Sequence, residues 1–221
     1  MTRESIRSLS IAATALALLS PAFAHAQIAQ AQESSNTPDA ARIEAAQMVP
    51  AKAVLTTTLD TAKMQPGYQF QATLAKTIQL KNGPELPSGT VLIGTVVADE
   101  QAGTRSSMAL RFTLAKVKNG GEVPIKATIA QVFPPHIDYG VSHTPDAADN
   151  PGNAWDPNTL VIDQIDAVSG GDLHSRIAGA DSGVFVSTTK PVMKLPAQSE
   201  MVLAIAAQGS SQQAQAGAGG Y

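Results

Sequence analysis

Alternation of apolar and polar residues is the feature that most constrains the fold of this chain. From Phe70 to Leu80 the apolar side chains occupy alternate positions, and the same alternation recurs from Met108 to Leu114 and from Val123 to Ile129. A period of two places successive side chains on opposite faces of an extended chain, which is typical of half-buried β-strands. The sequence therefore predicts an all-β fold.

Turn residues separate these stretches. Lys118-Asn119-Gly120-Gly121 is typical of a hairpin turn, so the strands on either side of it are predicted to pair antiparallel. Val91 to Val97 is a nearly continuous apolar run, which predicts a strand buried on both faces, and the polar residues from Asp99 to Ser106 predict a loop. Further short elements are predicted at Val54–Leu59, Leu160–Ile165, Val184–Ser187 and Met201–Ile205. Together they predict a small β-barrel or sandwich of antiparallel strands over residues 53–207.

A Leu-Pro turn occurs twice, each time directly before an apolar strand. Leu86-Pro87-Ser88-Gly89-Thr90 precedes Val91, and Leu195-Pro196-Ala197-Gln198-Ser199 precedes the strand at Met201. Proline has no N–H to contribute to a ladder, so it fits the first residues of a strand. The repeat has two interpretations, a duplicated barrel or the reuse of a common turn, and the second is favoured.

The first 26 residues have the organisation of a secretory signal peptide. Arg3 and Arg7 precede a short apolar run from Ile11 to Leu19, and Ala24-His25-Ala26 is a small-x-small cleavage site. We therefore expect an exported bacterial protein, periplasmic or secreted. No later stretch is apolar enough to span a membrane.

Three further segments flank or interrupt the predicted domain. Residues 27–52 are predicted to be a flexible lead-in with a short helix from Pro38 to about Met48, because Thr37-Pro38-Asp39 resembles a capped helix start. After Pro134-Pro135, residues 136–158 predict a long inserted loop. Residues 208–221 are rich in Gly, Ala, Gln and Ser, which predicts a disordered tail.

Composition excludes several classes of function. The formal net charge of −3 offers no basic face for nucleic acid, and Lys116, Lys118 and Lys126 are interpreted as a solvated strand edge. The absence of cysteine excludes disulfides, a thiolate zinc site, a cysteine nucleophile and a lipoprotein anchor. No phosphate-binding glycine motif is present, so no cofactor is predicted.

The candidates for catalysis do not form a known motif. The histidines His136, His143 and His174 could combine with Asp138 or Asp172, but their spacing matches no metal-site or hydrolase signature. Ser169, Ser175 and Ser182 lie near His174 only in sequence, and no nucleophile elbow is present. Asp181-Ser182-Gly183 is the tripeptide of aspartic proteases, but it occurs once, so we interpret it as a turn before a strand.

The long loop and its surroundings hold the remaining candidates. Oxygen ligands for calcium could come from Asp146, Asp149, Asp156, Asp163 and Asp166 with Asn150, Asn153 and Asn158, although the EF-hand spacing fails. Solvated loop acids are the favoured interpretation. Tyr139 and Trp155 are the predicted partner-binding residues, because loops on a rigid sheet often carry recognition.

Residues 66–129 resemble the TrbI-like family of conjugation and type IV secretion proteins. The matching segments are Pro66-Gly67, Phe70-Gln71-Ala72, Leu86 to Gly94, Arg111-Phe112 and Asn119 to Ile125. The same pattern occurs in uncharacterised exported bacterial proteins. The resemblance implies a β-barrel-like domain used for assembly, without the membrane anchor, proline-rich linker and helical antenna of that family.

The sequence as a whole predicts a non-catalytic exported protein that binds another cell-envelope protein, without a metal or cofactor. Two alternatives stay open: an exported hydrolase that uses a histidine and a loop acid, and a calcium-dependent binding module.

Overall fold

A computed structural model describes residues 38–118, 120–135, 160–177 and 179–208. The predicted signal peptide (1–26), the loop at 136–158 and all of the predicted tail except Gln208 lie outside these residues. The described part holds one helix and thirteen strands, which confirms the prediction of an all-β fold with a short N-terminal helix. The elements are α1 (Pro38–Gln47), β1 (Val49–Leu55), β2 (Leu59–Asp60), β3 (Gln69–Leu74), β4 (Ile78–Gln79), β5 (Glu85–Leu86), β6 (Val91–Ala102), β7 (Arg105–Lys116), β8 (Glu122–Phe133), β9 (Val161–Val168), β10 (Gly171–Arg176), β11 (Gly183–Ser187), β12 (Lys194–Leu195) and β13 (Glu200–Ala207).

Six of the strands close into an antiparallel barrel. They follow the order β6, β3, β1, β13, β8 and β7, and β7 pairs back with β6 to complete the ring. The β6–β7 hairpin is long, because its pairing continues to Ala102 and Arg105 at the tip. The polar loop predicted from Asp99 to Ser106 is therefore wrong: these residues belong to a hairpin whose end, residues 100–105, is exposed, and polar side chains suit a strand there.

Aliphatic side chains from the alternating strands fill the barrel interior. Phe70 and Phe112 meet there edge to face, with ring centroids 5.1 Å apart and planes inclined by 71°. Gly94 on β6 leaves room for the Phe70 ring, since a Cβ atom at this position would lie 2.8 Å from both Phe70 Cε1 and Cε2. The interior is thus a packed core that has no room for an additional methyl group at Gly94 unless the Phe70 ring moves.

The two Leu-Pro turns make the same hydrogen bonds. Thr90 donates to the Pro87 carbonyl from its N–H (3.1 Å) and its hydroxyl (2.7 Å). Ser199 donates to the Pro196 carbonyl in the same two ways, at 3.3 Å and 2.8 Å. The residue before each hydroxyl is in the left-handed region, at φ +81° for Gly89 and +68° in the second turn.

A threonine hydroxyl fastens each turn to a preceding strand. Thr77 Oγ1 accepts the N–H of Ser88, and Thr58 Oγ1 accepts the N–H of Ala197, both at 3.0 Å. Each threonine lies three residues after the leucine that ends its strand, Leu74 in the first corner and Leu55 in the second. This correspondence favours the interpretation that the barrel contains two equivalent corners.

Strands β9 to β11 extend the sheet where β7 and β8 separate. The two strands pair only near the hairpin turn, and upstream β7 pairs with β11 instead. Ser182 spans the gap: its N–H donates to the Leu110 carbonyl and its carbonyl accepts the Ile129 N–H, both at 2.7 Å. Its hydroxyl accepts the Phe112 N–H at 2.9 Å. The Gln164 side chain completes the junction by bonding the N–H and carbonyl of Val132.

Helix α1 packs on the outside of the barrel. Ala45 and Met48 are buried there in a small apolar cluster with residues of β8 and β13 and Ile177, and Glu44 forms an ion pair with Lys126. The lead-in predicted over 27–52 is therefore too long, because residues 38–52 belong to the domain and β1 begins at Val49. Alanine supplies much of this contact, so the helix packs on the barrel with little apolar bulk.

Gly94→Ala should lower the free energy of unfolding by about 1–3 kcal/mol, because the new methyl group must displace a buried ring. Gly121→Ala is the matched control, since its Cβ would meet nothing within 4 Å. We expect the control to change stability by about 0.5 kcal/mol or less. Urea denaturation of both variants measures the difference, and equal stabilities would contradict the tight packing at Phe70.

Candidate functional site

The solvent-facing side of β9, β10 and β11 carries the candidate site. The opposite side of these strands packs on the barrel through Leu173 and Phe185, which are completely buried. Alternation and register place eight side chains toward solvent. We call them the outer face: Val161, Asp163, Ile165, Asp172, His174, Arg176, Val184 and Val186.

A histidine and a carboxylate meet at the centre of the outer face. His174 lies opposite Asp163 in the β9–β10 register, and its Nδ1 is 2.7 Å from Asp163 Oδ1. A carboxylate accepts hydrogen bonds, so the ring donates from Nδ1 and leaves Nε2 for another group. This contact orients the imidazole on an otherwise solvated surface.

A cleft of about 360 Å³ opens beside this pair. It is lined by Arg176 and two valines, Val161 and Val184, and on one side by the segment from Gly179 to Asp181. The Asp181 carboxylate is held by Arg111, with Nη2 and Oδ1 2.9 Å apart. The cleft therefore combines aliphatic walls with a guanidinium group, an imidazole and the carboxylates of Asp163 and Asp181.

The edge strand β9 has an irregularity directly after Ile165. The β9–β10 register shifts between Gly171 and Leu173, and Asp166 adopts φ +53°. The Asp166 N–H donates to Asp172 Oδ1 at 2.9 Å, which holds this conformation. Ile165, which alternates with Val161 and Asp163 along β9, is 79% exposed. Bulges of this kind at a sheet edge often direct a side chain toward a functional surface.

A second polar cluster lies at the tip of the β6–β7 hairpin, away from the outer face. Asp60 is buried, and although burial raises its pKa, the Ala62 N–H and Lys194 outweigh that effect and hold the pKa below its usual value. Both carboxylate oxygens of Asp99 are buried without a hydrogen-bond partner. Burial raises the pKa of Asp99, and the nearby charge of Asp60 raises it further.

These contacts show where the serine and histidine residues that the sequence suggested for catalysis lie relative to one another. The structure brings His174 to an acid, Asp163, but not to a serine: Ser175 is the next residue on β10 and its side chain is buried on the opposite side. Ser182 is engaged in joining β7 to β8. Asp181 and Ser182 lead directly into β11, which begins at Gly183, and the turn predicted for Asp181-Ser182-Gly183 stays an interpretation from sequence.

The remaining candidates lie outside the described residues. Across 38–118, 120–135, 160–177 and 179–208, no group of three or more His, Asp or Glu side chains could hold a metal ion. The candidates that the structure does not describe are Tyr139, Trp155, His136, His143, Asp138, Asp146, Asp149, Asp156, Asn150, Asn153 and Asn158.

The sequence analysis did not predict strand β10, which carries His174 and Arg176, because Gly171 to Arg176 contains no β-branched residue.

Comparison with known proteins adds no relative. Neither a protein-family model nor a curated protein matches the chain. The described residues include no helix with the length and apolar character needed to cross a bilayer. The resemblance to the TrbI-like family therefore stays a prediction from sequence.

Asp99→Asn should stabilise the protein at pH 7, with a gain that disappears on acidification. Because the pKa of Asp99 is raised in the folded state, the folded protein binds this proton more tightly than the unfolded chain does. Protonated Asp99 makes its full contribution to the free energy of unfolding below its unfolded pKa of about 3.9. This contribution is lost as the pH rises through the pKa of Asp99 in the folded state.

Melting temperatures of wild type and Asp99→Asn between pH 3 and pH 7 test this expectation. Glu100→Gln is the control, because Glu100 is an exposed carboxylate next to Asp99 in sequence. The control should follow the wild-type curve. A constant difference between Asp99→Asn and wild type over the whole range would contradict the assignment.

Proposed function

We propose that this protein is a non-catalytic exported protein of the bacterial cell envelope that binds another envelope protein through the outer face. The observation that carries the proposal is apolar exposure on the edge strand: Ile165 and Val161 are 79% and 51% exposed. A solvated sheet face normally carries polar residues at such positions. Large aliphatic groups in this setting are typical of a surface that a partner covers.

The geometry of the edge strand supports this proposal. Ile165 lies on the same side of β9 as Val161 and Asp163, so strand alternation directs it to solvent next to the residues of the cleft. The barrel interior is packed, so the outer face offers the better place for recognition. The segment 1–26 supports the export part of the proposal, and the sequence resemblance supports a role in assembly.

The predicted loop at 136–158 is part of the proposed binding surface because of its position in the sequence. It precedes β9 directly, so its residues join the strand that carries Val161. Tyr139 and Trp155 accordingly stay the predicted partner-binding residues of this loop. Loops next to a rigid sheet edge are a common site of protein recognition.

Ile165→Glu should abolish capture of a partner from an envelope extract, because a charge would replace the exposed aliphatic side chain. Ile43→Glu is a matched control: Ile43 is 55% exposed on helix α1, outside the outer face. We expect the control variant to capture the partner as wild type does. Affinity capture followed by mass spectrometry measures both, and equal capture by the two variants would overturn the proposal.

The contact between His174 and Asp163 favours the hydrolase as a second candidate. An oriented imidazole with a free Nε2 can act as a general base toward water. The described residues place no serine beside it, so the attacking group would be water. Hydrolysis of p-nitrophenyl acetate by wild type but not by His174→Gln would support this candidate, and equal rates would exclude His174 from any such reaction.

A further inference from the structure

We propose that the cleft on the outer face binds an extended segment of a partner protein that presents an acidic side chain between aliphatic residues, with Arg176 holding the carboxylate. This inference rests on the proposed function and names the chemistry of the partner. It follows from three observations: a guanidinium group that forms no ion pair with another described residue, a valine on each neighbouring strand, and an oriented imidazole one row away.

Arg176 is the cation among the described residues that line the cleft, and the carboxylates of Asp163 and Asp181 line it as well. Among the ion pairs of the described residues, none includes Arg176, whereas Asp181 is already held by Arg111. Asp163 lies in the next row and is hydrogen-bonded to His174. A guanidinium group bonds a carboxylate through two parallel N–H groups, which makes an acidic side chain the natural partner for Arg176.

The walls of the cleft favour aliphatic neighbours on either side of that carboxylate. Val161 lies directly opposite Arg176 in the β9–β10 register, and Val184 lies opposite His174 on β11. Residues two apart on one strand are about 7 Å apart, so an extended segment could contact both rows. Burial of aliphatic side chains against the valines would add affinity to the ion pair.

The imidazole fixes the orientation of the bound segment. Because Asp163 accepts the Nδ1–H of His174, the free Nε2 is an acceptor on the neutral ring. A backbone N–H of an extended segment is the donor that fits this position. Arg176 would then recognise charge and His174 the peptide backbone.

Titration of ¹⁵N-labelled protein with three peptides tests the inference. The probes are acetyl-Val-Glu-Val-amide, acetyl-Val-Gln-Val-amide and acetyl-Val-Lys-Val-amide, which differ only in the central side chain. We expect the acidic peptide to bind about threefold to tenfold more tightly than the glutamine peptide, with amide shifts at His174, Arg176 and Val184. Equal binding of the acidic and lysine peptides, or shifts confined to other strands, would overturn it.

Arg176→Gln should remove the preference for the acidic peptide and leave weak binding of the glutamine peptide unchanged. Lys116→Gln is the control, because Lys116 is an exposed cation at the far end of β7. The control should keep the full preference, and in the wild type the preference should decrease at high salt because exposed charges are screened. If Arg176→Gln keeps the preference for the acidic peptide, another cation binds the carboxylate and the role proposed for Arg176 is wrong.

The capture assay separates this inference from the proposed function. If Ile165→Glu loses the envelope partner while Arg176→Gln retains it fully, the outer face binds a partner but the acidic segment is wrong. If both variants retain the partner, the proposed function itself fails. Loss in both variants, with unchanged melting temperatures, supports both conclusions.

Discussion

The pairing of β6 with β7 is the constraint on which the rest of the structure depends, because it closes six strands into a ring. A closed ring leaves no edge within the barrel for another strand to join. The chain therefore adds β11 at the one place where β7 and β8 separate, and Ser182 bonds both strands there. The outer face owes its position to this opening in the ring.

Ring closure also needs compact turns between strands, and the two Leu-Pro turns of this chain have the same set of hydrogen bonds. Each corner combines a left-handed residue with a proline carbonyl that accepts two hydrogen bonds from one residue, Thr90 or Ser199. Both corners are fastened by a threonine hydroxyl that accepts a backbone N–H from the turn. Equivalent local chemistry at two places keeps the backbone groups of tight turns satisfied where a short connection offers few other partners.

The sequence predicts the barrel better than it predicts the site. Alternation reveals strands whose two faces differ, so β7 and β8 follow from the pattern around the hairpin turn. The sequence does not reveal the short strand β10 or the polar end of the long strand β6, because these residues lack the apolar alternation of the other long strands. The contact between His174 and Asp163 depends on register across a bulge, and Asp99 meets Asp60 across 39 positions; neither relation has a local signal in the sequence.

The end of the edge strand β9 shows how a left-handed residue can serve the packing of the core. A non-glycine residue in the left-handed region costs on the order of 1 kcal/mol, and the exposed side chain of Ile165 recovers little of it by burial. The irregularity at Asp166 interrupts the alternation of β9, so that Ala167 and Val168 are both buried in the main core. Burial of these two side chains offsets the cost of the left-handed residue. The edge strand therefore combines an exposed aliphatic residue, Ile165, with an anchored end, and Ser182 and Gln164 join the extension to β7 and β8.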